Sequence, residues 1–165
     1  MAHQVSLRRR DPNIDTRHTE TSRHTSPLAF HKPTRPDGAG EAKDYFIEED
    51  GCVFAGRHLL LDLWDAHNLD DRALIETALR EAVDACGATL LHIHLHEFTP
   101  NGGISGVAVL AESHISVHTW PERGFAAFDV FMCGACRPYA AVAVLERHFR
   151  PGAVTVDEQR RGVVR

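Results

Sequence analysis

The 165-residue chain contains no run of 18 apolar residues, so no segment of it reads as a membrane-spanning helix. It has no excess of basic residues. Eighteen Lys and Arg stand against 23 Asp and Glu, a net charge of −5 that excludes the cationic footprint of a nucleic-acid binder. Cysteine is scarce: Cys52, Cys86, Cys133 and Cys136 are too few to staple a chain of this length, and a reducing cytosol would keep them as thiols open to chemistry. The N-terminus lacks the apolar stretch of a secretory signal, and Asp11, Asp15 and Glu20 speak against an Arg-rich transit peptide, so the expected location is the cytoplasm. There is no internal repeat and no Gly-x-Ser-x-Gly nucleophile elbow.

The remaining composition is that of an ordinary globular protein, long enough for one domain with a core and too short for two. Residues 1–44 stand apart: Pro12, Pro27, Pro33 and Pro36, a Ser/Thr-rich stretch and Arg8-Arg9-Arg10 surround apolar residues that follow no period. Such a segment buries too little to offset its chain entropy and is expected to be a disordered extension, with a single domain over residues 45–165. Residues 52–66 read as a strand. A helix follows over 72–87, with Leu74, Ile75, Ala78, Leu79, Ala82, Val83 and Cys86 on one stripe, Asn68 or Asp70 as N-cap and Gly87 as stop. The period then changes to two. Residues 88–98, 103–112, 114–120 and 124–133 read as four consecutive strands, 137–149 as a second helix, and 153–159 as a last strand. The order β-α-β-β-β-β-α-β predicts an α+β two-layer sandwich, a mainly antiparallel sheet with helices on one face.

The densest chemistry lies between residues 98 and 136. Ser113 sits at a strand junction between Glu112 and His114; its hydroxyl is a weak nucleophile unless a base or local strain activates it. His118 lies five residues on, where a tight hairpin could return it to the junction, Ser105 lies on the opposite strand, and Cys133 follows on the adjacent one. Residue types alone leave two readings open. These are either a turn serine, a satisfied sheet histidine and a buried thiol, or a nucleophile, a base and a proton donor.

The segment ISGVAVLAESHISVHTWPE, followed by AAFDVFMCG, closely resembles the prokaryotic S-adenosylmethionine decarboxylase proenzymes, with a further match at GRHLLLDLW; the resemblance spans roughly residues 54–160. It implies that the Ser113 hydroxyl attacks the Glu112 carbonyl and that the resulting ester eliminates. A β chain of residues 1–112 is released, and a pyruvoyl group derived from Ser113 caps the α chain, residues 113–165. His118 matches the family's base for this elimination, Ser105 the serine that assists processing, and Cys133 the proton donor after decarboxylation. The pyruvoyl ketone would take the substrate amine as a Schiff base and act as electron sink, without metal or external cofactor. Glu122 matches the position that holds ribose hydroxyls, Phe98 an aromatic open to adenine, and Asp62 an acid suited to a sulfonium. The implied activity is decarboxylation of S-adenosylmethionine to the aminopropyl donor of spermidine synthesis, by a homodimer of αβ protomers whose sheets pair.

Two departures bear on the substrate. The loop TPNGGISG carries one residue more than the relatives, and His92, His94 and His96 share one strand face. The same chemistry on ornithine or arginine is therefore the first alternative. A metal protein using those histidines with His118, or the Cys133/Cys136 pair, is a second, and a catalytically idle partner a third.

Overall fold

In the computed structural model, the described residues are the backbone of Val5–Arg8 and residues 45–164. The strands are β1 (Val5–Arg8), β2 (Ile47–Glu49), β3 (Cys52–Phe54) and β4 (Gly56–Trp64). Helix α1 (Arg72–Cys86) precedes β5 (Leu90–Glu97), β6 (Ile104–Leu110), β7 (Ser113–Trp120) and β8 (Phe125–Cys133); α2 (Tyr139–Phe149) and β9 (Ala153–Arg161) complete the chain. One seven-stranded sheet has the order β1-β9-β4-β8-β7-β6-β5, antiparallel throughout except for the parallel β1–β9 pair. This is the expected α+β sandwich.

The expected elements appear with two additions. The stretch 52–66 is not one strand: it breaks at Ala55, and β3 turns back on β2 through Asp50-Gly51, both left-handed (φ 52° and 72°). Asp-Gly is the sequence signature of a two-residue hairpin whose turn needs φ > 0 at both positions. The second addition is β1, inside the stretch expected to be a disordered extension; its Val-Ser-Leu-Arg alternates apolar and polar, and its backbone pairs with the otherwise open edge of β9. The rest of that extension lies outside the described residues.

Helix α1 is capped by Asp71, whose carboxylate accepts the Leu74 N–H at 3.0 Å, not by Asn68 or Asp70. Asn68 instead takes φ 60° and donates its amide to the His148 carbonyl, a tertiary use that removes it from the cap. Gly87 closes the helix as expected. Both helices lie on one face of the sheet. Ile75, Ala78, Leu79, Ala82 and Val83 of α1 and Ala141, Leu145 and Phe149 of α2 pack on Leu59, Leu61, Leu63, Ala108, Ile115, Val117, Phe128, Val130 and Met132. Strand alternation then sends the intervening residues to the other face. Among the described residues that face carries no helix, and it holds His58, Leu60, Asp62, Ser105, Ser116, His118, Asp129, Phe131 and Cys133. No helix among the described residues is long and apolar enough to cross a membrane.

Candidate active site

Leu110 and Ser113 are register partners, so Ala111 and Glu112 form the whole β6–β7 turn. Glu112 has φ 65°, a left-handed conformation that turns normally give to Gly or Asn and that costs a residue with a Cβ about 1 kcal/mol. The peptide bond leaving this strained residue is the Glu112–Ser113 bond. The Ser113 hydroxyl is buried and accepts the Cys133 backbone N–H at 3.1 Å. Burial, then the Glu112 charge, raise the Cys133 thiol pKa, with the Ser113 hydrogen bond opposing; the thiol stays protonated and can donate. Glu112, Ser113 and Cys133 thus meet at one end of the sheet.

Ser105 and His118 meet elsewhere. They are register partners on the open face, with Ser105 Oγ 2.8 Å from His118 Nδ1. The expected return of His118 to the junction does not occur within one chain. Five residues of straight strand separate it from Ser113, a span of about 17 Å, and the odd spacing sends the two side chains to opposite faces. Asp62 shares the row of His118, with Ala127 between them, about 10 Å away across two strand spacings. Burial, reinforced by Asp157, raises the Asp62 pKa.

Phe98 and Glu122 do come together. With Asn101, Gly103, Thr119 and Trp120 they line a cavity of about 180 Å³, and Trp120 also borders a wider depression of about 520 Å³ with Trp64, Arg123 and Phe125. The 99–103 loop therefore forms part of the cavity wall through Asn101 and Gly103. Trp64, Phe125 and Trp120 stack in series, with centroids 4.3 and 5.3 Å apart. Among the described residues, no three His, Cys, Asp or Glu side chains gather as a metal site.

A network absent from the sequence reading crosses the middle of the open face. Arg161 lies 3.2 Å from His58 Nδ1, His58 Nε2 lies 3.1 Å from Asp129, and Ser116 donates to the other Asp129 oxygen at 2.8 Å. An arginine donor at Nδ1 leaves Nε2 to carry the imidazole proton toward Asp129. Buried Thr119 was likewise missed: its hydroxyl accepts the Ile104 N–H and donates to the Leu69 carbonyl, tying β6 and β7 to the loop before α1. Shared strand parity with His118 was the available signal for the network; nothing local marks Thr119.

Residues 57–162 match a family model described as S-adenosylmethionine decarboxylase. The S-adenosylmethionine decarboxylase proenzyme of Thermomicrobium roseum is 46% identical over 110 residues, covering 66% of this chain and 95% of that protein. That of Methanococcus maripaludis is 46% identical over 112 residues (66% and 91%), and that of Parasynechococcus marenigrum 49% over 98 residues (58% and 76%). Among solved structures, the adenosylmethionine decarboxylase from Aquifex aeolicus matches with a TM-score of 0.60 and 33% identity, over 68% of this chain and 94% of that one. The matched span runs from β4 to the end of β9 and takes in both ends of the candidate site, and the chain belongs to the S-adenosylmethionine decarboxylase family.

Proposed function

We propose that the chain cuts itself between Glu112 and Ser113 and then decarboxylates S-adenosylmethionine, yielding the aminopropyl donor for spermidine synthesis. The observation that carries this reading is the junction itself: a left-handed, non-glycine Glu112 joined to a buried serine hydroxyl that is held by the Cys133 backbone. Attack of Ser113 Oγ on the Glu112 carbonyl carbon turns the amide into an ester and releases the turn from its constraint. Loss of the Ser113 α-proton then expels Glu112 as a carboxylate, leaving residues 1–112 as one chain and 113–165 as the other, the new terminus hydrolysing to a pyruvoyl cap with loss of ammonia. The residues present fit that group, since the Ser113 side chain lies out of bulk water beside a protonated thiol. Once formed, its ketone supplies an electron sink for the carboxylate's bonding pair. Cys133 then delivers a proton to the substrate carbon that has lost carbon dioxide. Glu122 would accept hydrogen bonds from ribose hydroxyls while Phe98 offers its ring to adenine, and Asp62 would set a negative charge near the sulfonium. We place the reaction in the cytoplasm, a compartment whose ordinary reducing poise favours the thiol form of the four free cysteines.

The α-proton needs a base, and His118 of the same chain is too far along β7. A second copy supplies it. The helix-free face exposes Leu60, Trp64, Val109 and Trp120, an apolar surface of the kind that marks an interface. Two such faces related by a two-fold axis lying across the strands bring the Ser113 end of one sheet over the His118 end of the other. This supports a dimer in which each site is shared, and it makes a specific prediction. Ser113→Ala and His118→Ala chains should each remain uncut when made alone, but co-expression should yield cleaved chains from the His118→Ala member. Failure to cleave in the mixture would overturn the shared site, and cleavage of Ser113→Ala alone would overturn self-processing at this bond. Carbon dioxide release from S-adenosylmethionine, ornithine and arginine, compared side by side, tests the substrate; preference for either free amino acid would overturn it.

A further inference from the structure

β8 ends in Cys133-Gly134-Ala135-Cys136, and the four residues form a hydrogen-bonded turn, the Cys136 N–H donating to the Cys133 carbonyl at 3.4 Å. Gly134 takes φ 59°, and its own N–H is fixed to the Tyr45 carbonyl at 2.9 Å. A turn of this kind keeps the first and fourth Cα atoms within about 7 Å, which overlaps the 4.4–6.8 Å spacing a disulfide spans. Both thiols are partly exposed, whereas Cys86, the other cysteine near Cys136, is 1% exposed. The Cys136 sulfur rests 3.7 Å from the Gly87 carbonyl, a weak contact that a side-chain rotation gives up. Burial pushes the Cys86 thiol up to about 11, which leaves it almost no thiolate with which to compete.

We propose that Cys133 and Cys136 form a reversible disulfide that withdraws the Cys133 thiol and so switches decarboxylation off under oxidising conditions. The effect on turnover rests on the reading of Cys133 as proton donor; the pairing itself does not. The oxidant is a low-molecular-weight disulfide, RS–SR. The Cys136 thiolate attacks one of its sulfurs and expels a first thiolate, forming a mixed disulfide. Cys133, whose pKa is also raised, then gives up its proton to solvent, attacks the Cys136 sulfur held beside it in the same turn and expels the second thiolate. Two protein thiols lose two electrons and two protons, and RS–SR becomes two RSH. An added dithiol runs the exchange backward. Because the thiolate is the attacking form, bridging should quicken as pH rises.

The test uses the purified, processed protein with oxidised glutathione as the probe. Trypsin should give a peptide, residues 124–147, that carries both cysteines and no other. The oxidised protein should yield this peptide two hydrogens lighter and closed to alkylation, with turnover reduced at least tenfold and recovered by dithiothreitol. Cys136→Ser should keep its basal turnover, and its peptide should never acquire the internal bridge. If oxidation leaves the 124–147 peptide unbridged, or joins Cys136 to Cys86, the pairing is overturned. If the bridge forms and turnover is undiminished, the switch is overturned together with the proton-donor role of Cys133.

Discussion

Replacing Glu112 by glycine isolates the contribution of backbone strain to self-cleavage. Glu112 holds φ 65°, where a Cβ crowds the following carbonyl at a cost of about 1 kcal/mol. Glycine adopts the same φ without that cost. If the strain is present in the intact turn and relieved on the way to the ester, removing it lowers the ground state by about 1 kcal/mol, close to a fivefold slower cleavage. Glu112→Gln keeps the Cβ and removes only the charge, so it should cleave at the native rate. The assay follows newly synthesised chain on a denaturing gel and fits the loss of the intact band. Unfolding is controlled on the uncleavable Ser113→Ala background. There, strain relief and the added chain entropy of glycine (about 0.5–1 kcal/mol) oppose one another, and Tm should hardly move. Native-rate cleavage of Glu112→Gly would refute the strain argument; equal slowing of both variants would assign the effect to the carboxylate instead.

Cys133→Ala should still cleave at 112–113, because protonation comes after that step, but should lose most of its turnover; undiminished carbon dioxide release would remove Cys133 from the chemistry. Gly106→Ala should cost about 1–3 kcal/mol and lower Tm by several degrees, since a Cβ there would overlap the Leu95 side chain and sit 2.5 Å from the His94 carbonyl oxygen; an unchanged melting curve would show that β5 can shift to accommodate it. Burial, then His58, holds the His114 pKa below its ordinary 6.5. As pH falls below 6.5 the unfolded chain takes the proton first, so stability should drop across the window beneath that value and stay flat just above it. Denaturant midpoints at a series of pH values measure this, and His114→Gln should flatten the curve; an unaltered slope in that variant would assign the acid loss to other groups.

The regular elements were readable because their periods are long and clear. The stripe from Leu74 to Cys86 is a 3.6-residue pattern along α1, and the strands from Ile104 to Cys133 alternate clearly enough to fix which residues face the helices, whereas β5 is interrupted by a register shift between Leu90 and His92. The β2–β3 hairpin was not read, because three-residue strands carry no period; only Asp50-Gly51 signals it. The cap was placed among adjacent polar residues, where tertiary contacts decide: His148 draws Asn68 away and Asp71 is left to reach Leu74. At the candidate site the motif singled out residues that the structure places at opposite ends of β7, and that separation was legible only through spacing. An odd interval of five between Ser113 and His118 already forbids a common face in one strand. Pattern alone could not supply the left-handed conformation of Glu112.

The strand order governs the fate of the two pieces once the proposed cut is made. Residues 1–112 contribute β1, β4, β5 and β6 to the large sheet, and residues 113–165 contribute β7, β8 and β9. Across the order β1-β9-β4-β8-β7-β6-β5, four of the six seams join a strand of one piece to a strand of the other. The two products are woven through each other like warp and weft, and within the large sheet neither keeps more than one pair of adjacent strands of its own, β5–β6 in one and β7–β8 in the other. Severing the backbone therefore changes the chain's ends without freeing either half. From this weave we expect the proposed scission to follow folding of the whole domain, since a polypeptide parted earlier would have to assemble from two separate chains.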